Sequence, residues 1–310
     1  MIRRILLDTD IGTDVDDALA LAFALRHPEI ELAAVTTVSG DTRRRAQIAA
    51  KLIALSGGPQ IEVAAGRGEP LGGQGRMFWA GHEGRGLLEE GEDIPISPRD
   101  GVDVIVDTLL ADEMEVVTIG PLTNLAAALE REPRIAKRIP RLTLMGGLFQ
   151  RVELQGKVLP LSVEYNLNAD PQAAVAVLAT PIPTTYVPGD VTMRTYLLDE
   201  HVQRLEAGSD PLLQALARLV RVWTPILANL FAIGRVPMPQ GLAAVPHDPL
   251  VLATLVERRF VTAKVLPVTV AVAGGILRTF IDPVAGREVE VVTDVDADAF
   301  AAFFLETVGA

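Results

Sequence analysis

The chain has 310 residues, of which 49% are hydrophobic and 22% charged, a composition typical of a globular protein with a substantial core. Its 28 basic and 40 acidic residues leave a formal net charge of −12, which disfavours nucleic acid and anionic membranes as partners. The absence of cysteine excludes disulfides, thiolate catalysis and zinc sites built on cysteine.

The beginning of the sequence and its hydropathy bear on where the protein works. The amino-terminal segment reaches an acidic residue at Asp8, which is too early for a signal peptide. No apolar run approaches the length expected of a membrane span. We therefore expect a cytoplasmic protein with no membrane partner.

Short β-branched runs alternate with helical patterns through the first two-thirds of the sequence. The runs predicted as strands are Arg4–Leu7, Leu32–Val38, Ile61–Ala64, Glu115–Ile119, Leu142–Met145 and Thr184–Val187. The segments predicted as helices are Asp16–Arg26, Arg43–Leu55, Gly101–Ala111, Leu122–Arg131 and Pro171–Leu178. This alternation is typical of an open, mostly parallel sheet flanked by helices, so we predict an α/β fold.

The last third of the sequence has a different pattern. It predicts a long helix over Leu212–Phe231, interrupted at Pro225. The remaining predicted elements are an appended β-ribbon over Val261–Ala273, Leu277–Ile281 and Glu288–Val292, and a closing helix over Ala297–Val308. Since no low-complexity linker or internal repeat divides the chain, residues 1–310 are predicted to form a single domain.

Two long loop-like stretches interrupt this pattern. Gly66–Gly86 contains eight glycines together with Trp79 and His82, and Gly146–Asn168 ends in Glu164-Tyr165-Asn166. Long loops in compact α/β domains are usually functional, although a plain surface insertion explains either stretch as well.

The segment Asp8–Asp17 is the strongest chemical signal, because it places five carboxylates within ten residues between a strand and a helix. Capping of the helix explains the later aspartates individually, since Asp is favoured at helix starts. It does not explain Asp8 and Asp10, which alternation sends to the same face at the end of an apolar strand. Clustered carboxylate oxygens suit calcium or magnesium better than zinc or copper.

Other predicted strands also end in small or polar turns. These are Ser39-Gly40-Asp41, Gly120–Asn124 and Gly146-Gly147. In open α/β sheets, ligands bind at the carboxyl ends of the parallel strands, so we expect these turns to gather around Asp8 and Asp10. Much later in the chain, His247-Asp248-Pro249 adds an imidazole and an acid just before a helical segment, where Asp248 alone would be read as a helix cap.

Taken together, these pieces resemble one family, the inosine-uridine-type nucleoside hydrolases. The matching motifs follow the family's order over nearly the whole chain: Asp8–Asp17, Val35–Asp41, Gly81–Gly84, Ile119–Asn124, Leu144–Gly147, Glu164–Asn166 and His247–Pro249. Each motif is weak alone, but the set is specific.

The resemblance implies a calcium ion as cofactor. Its ligands would be the carboxylates of Asp10, Asp17 and Asp248 and the backbone carbonyl of Ile119. The ribose 2′- and 3′-hydroxyls and the attacking water would complete the shell. Asp10 would also act as the general base that takes a proton from this water, which then attacks C1′ with inversion.

The resemblance also implies which residues hold the sugar of a small ribonucleoside substrate. Asp16 and Asp41 would help to hold the metal site and the ribose. Glu164 and Asn166 would take sugar hydroxyls, and Met145 would lie beneath the sugar.

The leaving base is the part of the substrate that the sequence specifies least. By the resemblance, His82 and His247 would lie near it, and His247 is the better candidate for an acid because Asp248 anchors it to the metal shell. Trp79 and Trp223 could provide a stacking face, although core packing explains Trp223 equally well.

The sequence departs from the better-known family pattern at three places. Two extra residues separate Asp10 from the Asp16-Asp17 pair, and Asp41 stands where many members have asparagine. The Gln155–Pro160 loop lacks an obvious asparagine for the 5′-hydroxyl. These departures bear on substrate preference, for which we expect a pyrimidine nucleoside such as uridine, with a purine-preferring or broad-specificity hydrolase as the alternative.

Two further interpretations compete with a nucleoside hydrolase. Asp8–Thr13 after an apolar strand resembles the aspartyl-phosphate motif of haloacid-dehalogenase-type phosphatases, with Asp8 as nucleophile, but this leaves Glu164–Asn166 and His247-Asp248 unexplained. The other is a non-catalytic, calcium-dependent binder of nucleosides or ribose. For the assembly, the family resemblance suggests a homodimer or homotetramer.

Overall fold

The structure is a computed structural model that describes residues 2–73, 77–154, 156–158 and 164–310. Thirteen strands are found in these ranges: β1 (Arg3–Thr9), β2 (Ile30–Thr37), β3 (Glu62–Ala65), β4 (Glu115–Thr118), β5 (Leu142–Met145), β6 (Glu153–Leu154), β7 (Lys157–Val158), β8 (Thr184–Val187), β9 (Leu197–Leu198), β10 (Leu242–Ala244), β11 (Val261–Ala273), β12 (Ile276–Ile281) and β13 (Arg287–Val295). The same ranges contain eleven α-helices: α1 (Asp16–Arg26), α2 (Thr42–Ser56), α3 (Gly101–Ala111), α4 (Thr123–Arg131), α5 (Tyr165–Ala169), α6 (Pro171–Ala179), α7 (Gly189–Thr192), α8 (Asp199–Ala207), α9 (Pro211–Ile233), α10 (His247–Val256) and α11 (Ala297–Val308). The predicted Gly75, and Gln155, Leu159 and Pro160 of the predicted Gln155–Pro160 loop, lie outside the described residues.

Nine of the described strands form one sheet in the order β12-β11-β13-β8-β5-β4-β1-β2-β3. Every neighbouring pair from β13 to β3 is parallel, whereas β11 runs antiparallel to both of its neighbours. The predicted α/β fold with a mostly parallel sheet is therefore confirmed. Because β1 lies between β2 and β4, the chain reverses its direction of travel across the sheet beside β1, where such folds bind ligands.

Helices cover both faces of the sheet, and the sequence of β1 shows why. Ile5 and Leu7 belong to one hydrophobic core and Leu6 to the other, and all three are fully buried. Consecutive strand residues point to opposite faces, so an uninterrupted apolar run is what a strand buried on both sides requires. Asp8 and Asp10 follow this run directly.

The carboxy-terminal ribbon differs from the prediction of an appended element. β13 pairs in parallel with β8, through Glu290 opposite Thr185 and Val291 opposite Tyr186. The ribbon therefore extends the main sheet. The physical reason is burial, because Val289 and Val291 of β13 lie in the same hydrophobic core as Tyr186.

Helix α9 also differs from its prediction, since it continues through Pro225 without a break. Proline removes one backbone hydrogen bond from a helix, but Trp223 and Leu227 are buried on either side of it and favour a continuous helix. By length and composition alone, the 23 residues of α9 could cross a membrane, contrary to the expectation that no run is long enough. In the fold it packs against α2, α8 and β10.

Candidate active site

A cavity of about 650 Å³ opens at the carboxyl ends of the central strands. Asp10 follows β1, Ile119 follows β4, Met145 ends β5 and Gly189 follows β8, and all four line the cavity. Asp248, in the first turn of α10, lines the same cavity although it comes from a distant part of the chain. The parallel sheet thus brings the carboxyl ends of β1, β4, β5 and β8 together at one edge.

An acidic cluster forms one wall of this cavity. Carboxylate oxygens of Asp16, Asp17 and Asp248 lie within 4.8 Å of one another, and all three side chains are buried. Burial raises the pKa of each well above its usual range, and repulsion from the neighbouring carboxylates raises it further. Asp10 lines the same cavity, so the site concentrates negative charge that only a cation or protons can offset.

The geometry of these acids fits a hard metal ion. Calcium takes six to eight oxygen ligands at about 2.3–2.6 Å, so two oxygens on one ion are separated by up to about 5 Å. The carboxylate oxygens of Asp16, Asp17 and Asp248 lie within 4.8 Å of one another, close enough for one ion to contact all three. An all-oxygen donor set favours calcium or magnesium over transition metals.

The loop that carries Asp10 is held by a buried arginine on α2. Arg45 is fully buried, and its guanidinium donates hydrogen bonds to the carbonyls of Asp10, Ile11 and, at 2.7 Å, Ser39. Burial raises the pKa of the Asp10 carboxyl, whereas the positive charge of Arg45 acts to lower it. Arg45 therefore ties the ends of β1 and β2 together and supplies fixed positive charge beside the acids.

Gly120, after β4, lets the backbone approach Asp10 closely. A Cβ atom at this position would lie 2.8 Å from both the backbone nitrogen and Oδ1 of Asp10. Any larger residue would push the β4 turn or Asp10 out of place.

Asp8 occupies a different environment from Asp10. It is fully buried and accepts hydrogen bonds from Thr36 at 2.6 Å and from Asn124 at 2.8 Å. Burial raises the pKa of Asp8 to about 7. Asp8 is not among the described residues that line the cavity, which argues against its use as a phosphatase nucleophile.

Glu164 and Asn166 enter the cavity wall through the start of α5. The carboxylate of Glu164 caps this helix by accepting hydrogen bonds from the backbone of Asn166 at 2.6 Å and of Leu167 at 2.9 Å. Burial raises the pKa of Glu164 to about 7. The side chain of Asn166 donates to the carbonyls of Ile119 and Met145, so α5 is tied to the ends of β4 and β5.

His247 and Asp14 lie close together on another part of the wall. Nδ1 of His247 is 2.7 Å from the hydroxyl of Thr192, and burial lowers its pKa to about 4, so the ring is neutral near pH 7. The carboxylate of Asp14 lies within 4.8 Å of both His247 and Asp16. Sequence reasoning treated Asp14 only as a helix cap, and the sole signal for it was the two extra residues after Asp10.

Three residues predicted to contact the substrate are absent from the described lining of the cavity. Asp41 is exposed and caps α2, accepting a hydrogen bond from the backbone of Arg44 at 2.9 Å. Trp79 stacks over the guanidinium of Arg45, 5.2 Å from its ring centroid. His82 donates from Nε2 to the carbonyl of Thr13 at 2.7 Å, behind the wall that the cavity presents. Each of these side chains has another partner in the structure, and its contact with a substrate stays a prediction.

The apolar part of the wall was largely missed by sequence reasoning. Its described members include Met77, Phe78, Tyr165, Met193, Trp223 and Leu230. Most come from loops or from α9, where a pattern of apolar residues does not distinguish a core face from a cavity face. They give the acidic pocket an apolar side suited to a flat, weakly polar group.

Comparison with known proteins relates this arrangement to one family. The family model described as inosine-uridine preferring nucleoside hydrolase matches residues 5–302. The inosine-uridine preferring nucleoside hydrolase of Crithidia fasciculata is 30% identical over 289 residues, covering 88% of this chain and 85% of that protein. The pyrimidine-specific ribonucleoside hydrolase RihA of Photobacterium profundum is 31% identical over 270 residues, covering 83% and 81%.

The fold is shared as well. The structure of a plant nucleoside hydrolase superposes with a TM-score of 0.84 over 100% of both chains, at 24% identity. The likeness includes the arrangement of a mostly parallel sheet with flanking helices.

Proposed function

The chain belongs to the inosine-uridine preferring nucleoside hydrolase family, and from this premise we propose that it cleaves ribonucleosides to free base and ribose with a bound calcium ion. The observation that carries the proposal is the cluster of buried carboxylates of Asp10, Asp16, Asp17 and Asp248 on one cavity wall. Buried carboxylates are costly without a cation, and a substrate with a vicinal diol can share that cation with them.

Asp10, Asp17 and Asp248 would hold the ion through carboxylate oxygens, and Ile119 through its backbone carbonyl. All four line the cavity. In this site a bound ion would supply coordination of the ribose diol and would lower the pKa of a neighbouring water.

Asp10 accepts the proton of the attacking water. Its carboxylate is held for this role by Arg45 through the backbone and by the close approach of Gly120. Asp16 faces the same cluster and can accept a hydrogen bond from a ribose hydroxyl. Glu164 and Asn166, positioned by α5, would contact the remaining sugar hydroxyls, and Met145 would lie beneath the ring; all three line the cavity.

The base departs on the side of the cavity where His247 and Asp14 meet. His247 is placed there by Thr192 and by its neighbour Asp248, so it is the residue we propose to assist departure. Its ring is neutral, and it would act by hydrogen bonding to the base rather than as a cation. His82, Trp79 and Asp41 would need to leave their present partners to reach the substrate.

We propose uridine as a favoured substrate. One similar protein is named as pyrimidine-specific and another as inosine-uridine preferring, which supports a pyrimidine and keeps inosine as the alternative. A cytoplasmic location and a homodimeric or homotetrameric assembly remain part of the proposal.

A turnover assay tests the proposal directly. Purified protein is incubated with uridine, cytidine, inosine and adenosine, and reducing sugar is measured with added calcium or with a chelator. We expect calcium-dependent release of ribose. Binding without turnover would support the non-catalytic binder, and a phosphoenzyme trapped from a phosphate ester would support the phosphatase.

A further inference from the structure

Glu83, in the glycine-rich stretch between β3 and α3, is a buried acid to which the proposed mechanism gives no role. Its carboxylate accepts hydrogen bonds from the backbone nitrogens of Ala80 and Gly81, both at 2.7 Å, and from the hydroxyl of Thr13 at 2.9 Å. Burial acts to raise the pKa of this carboxyl, but the hydrogen bonds outweigh it and hold the pKa below its usual range. Glu83 therefore joins its own loop to Thr13 as a charged acceptor.

Thr13 lies at the centre of the acidic loop, residues 11–15, which connects Asp10 to the start of α1 and contains no helix or strand. Besides Glu83, two side chains from elsewhere hold this residue. Arg45 donates to its hydroxyl at 3.1 Å, and His82 donates to its carbonyl at 2.7 Å. Arg45 also donates to the carbonyl of Asp10, so Glu83 and Arg45 meet at the Thr13 hydroxyl and hold the acidic loop together.

Gly12 allows the acidic loop to lie this close to Glu83. Its φ of +120° is a backbone conformation that residues with a side chain rarely adopt. A Cβ atom at this position would lie 2.7 Å from Cδ1 of Ile48 and 3.6 Å from Cβ of Glu83. The loop thus fits into a narrow space between α2 and Glu83, and its path depends on both.

The path of the acidic loop matters because reacting groups lie at both ends of it. Asp10 precedes the loop, Asp14 lies within it and Asp16 follows it, and all three line the cavity. A shift of Thr13 would therefore change the distance between carboxylates that must face the same substrate.

We propose that Glu83 is a positioning residue, which holds Thr13 and thereby fixes Asp10 and Asp14 in their places on the cavity wall. This inference rests on the proposed function, since it assigns a support to the same site. Glu83 does not touch the reacting atoms. Misplacing a reacting group slows the chemical step even when substrate still binds, so loss of this support should lower kcat more than it raises KM.

The competing interpretation is that Glu83 only shapes its own loop, through the backbone of Ala80 and Gly81. Thr13 would then be dispensable. Thr13→Val distinguishes the two interpretations, because it removes the hydroxyl that Glu83 accepts while nearly keeping the shape of the side chain.

Kinetics of single and double variants provide the first test. In Glu83→Gln at least one of the three hydrogen bonds is lost, because the amide nitrogen cannot accept. With uridine at saturating calcium, we expect kcat to fall by roughly tenfold or more in Glu83→Gln and in Thr13→Val, with a smaller change in KM. The double variant should lie within about twofold of the slower single variant, because both changes break the same contact. Losses that multiply, or a normal kcat in Thr13→Val, would overturn the proposal.

Glu92→Gln is the matched control. Glu92 belongs to the same connection between β3 and α3, and its carboxylate also accepts a backbone hydrogen bond, from Glu89 at 3.0 Å. Its other partner is Lys51 on α2, so it does not hold the acidic loop. We expect kcat to stay within about twofold of the unmodified protein. A loss equal to that of Glu83→Gln would show a general effect of this connection and would overturn the assignment to Glu83.

Hydrogen exchange separates this inference from the proposed function, because it needs neither substrate nor turnover. In the full-length Glu83→Gln variant, peptides that span residues 9–15 should exchange faster than in the unmodified protein. Peptides from β11 and β12 should be unchanged, which excludes general destabilisation. Unchanged exchange in residues 9–15 would overturn the inference. Faster exchange there, with no hydrolysis of any nucleoside by the unmodified protein, would support the hold of Glu83 on the loop and count against the proposed function alone.

Discussion

The side-chain amide of Asn166 donates a hydrogen bond to the carbonyl oxygen of Ile119 at 3.0 Å. A carbonyl oxygen has two lone pairs, so it can accept this bond and still offer the other lone pair to a cation. The amide also reaches the carbonyl of Met145 at 3.3 Å. Asn166 thereby fixes the direction of the Ile119 carbonyl, which we propose as a metal ligand.

Replacing Asn166 by alanine should weaken calcium binding by about 10- to 100-fold, the usual effect of losing a group that orients a metal ligand. Calorimetric titration of the chelator-treated protein with calcium measures this. Asn168→Ala is the control, since the Asn168 amide joins the carbonyls of Glu164 and Leu277 instead. Unchanged affinity in Asn166→Ala would remove the oriented carbonyl from the metal site.

Asp248→Ala should lose calcium and activity together, because it deletes the part of the acidic cluster supplied by α10. Elemental analysis of the unmodified protein should find about one calcium per chain. Asp296→Asn, which changes the cap of the distant helix α11, should cost about 1 kcal/mol of stability at most and leave the calcium content unchanged. A stoichiometric transition metal with no calcium would falsify the proposed site.

Asp10→Asn should keep the fold and lower turnover by about 10²–10⁴ or more, the range expected for a lost general base. Because Asp10 is also proposed as a metal ligand, the rates are compared at saturating calcium. Circular dichroism checks the fold. Near-normal turnover in this variant would exclude Asp10 from proton transfer.

His247→Ala should lose much of its activity on natural nucleosides and far less on p-nitrophenyl riboside, whose leaving group needs no assistance. The reason is its position beside Asp14 on the cavity wall, where we propose that the base departs. Initial rates on uridine and on the nitrophenyl substrate give the comparison. Equal losses would mean that His247 orders the site rather than helping the base to leave.

Glu164 should make folding stability depend on pH. Burial raises its pKa from 4.5 to about 7, so the folded chain holds this proton more tightly than the unfolded chain. Its contribution is therefore fully present below pH 4.5 and is lost as the pH rises to about 7, by up to about 3 kcal/mol. Glu164→Gln does not titrate, so its stability should rise relative to the unmodified protein across this window. Urea unfolding at several pH values, with chelator present, measures the difference; parallel curves would contradict it.

Parts of the fold could be predicted to the residue, because their boundaries have local causes. β8 begins after Pro183 and ends before Pro188, and both ends were predicted. The pairing of β13 with β8 has no such local signal, since it depends on which distant strand buries the same core. The continuity of α9 through Pro225 likewise depends on packing that is not visible in the sequence.

The candidate site, too, could be predicted from the sequence only in part. Acids next to strand ends could be placed, because parallel strands bring their carboxyl ends to one edge of the sheet. Trp79 and His82 could not, because their positions depend on Arg45 and on the carbonyl of Thr13, partners that only tertiary structure reveals. The proximity of Asp14 to His247 and the place of Trp223 on the cavity wall depend on tertiary packing, which the sequence does not show.

The acidic cluster joins two segments, α1 and α10, that are more than two hundred residues apart in the sequence. An ion bound by carboxylates of both helices would link them in a protein that has no cysteine to form a disulfide. Because the ion would bind the folded chain and leave on unfolding, it would stabilise the fold through its binding free energy, by about 4 kcal/mol at a calcium concentration a thousand times its Kd. Chelation should therefore lower the free energy of unfolding as well as end turnover, while the buried side chains that pack α1 against α10 keep the two helices together in the folded protein.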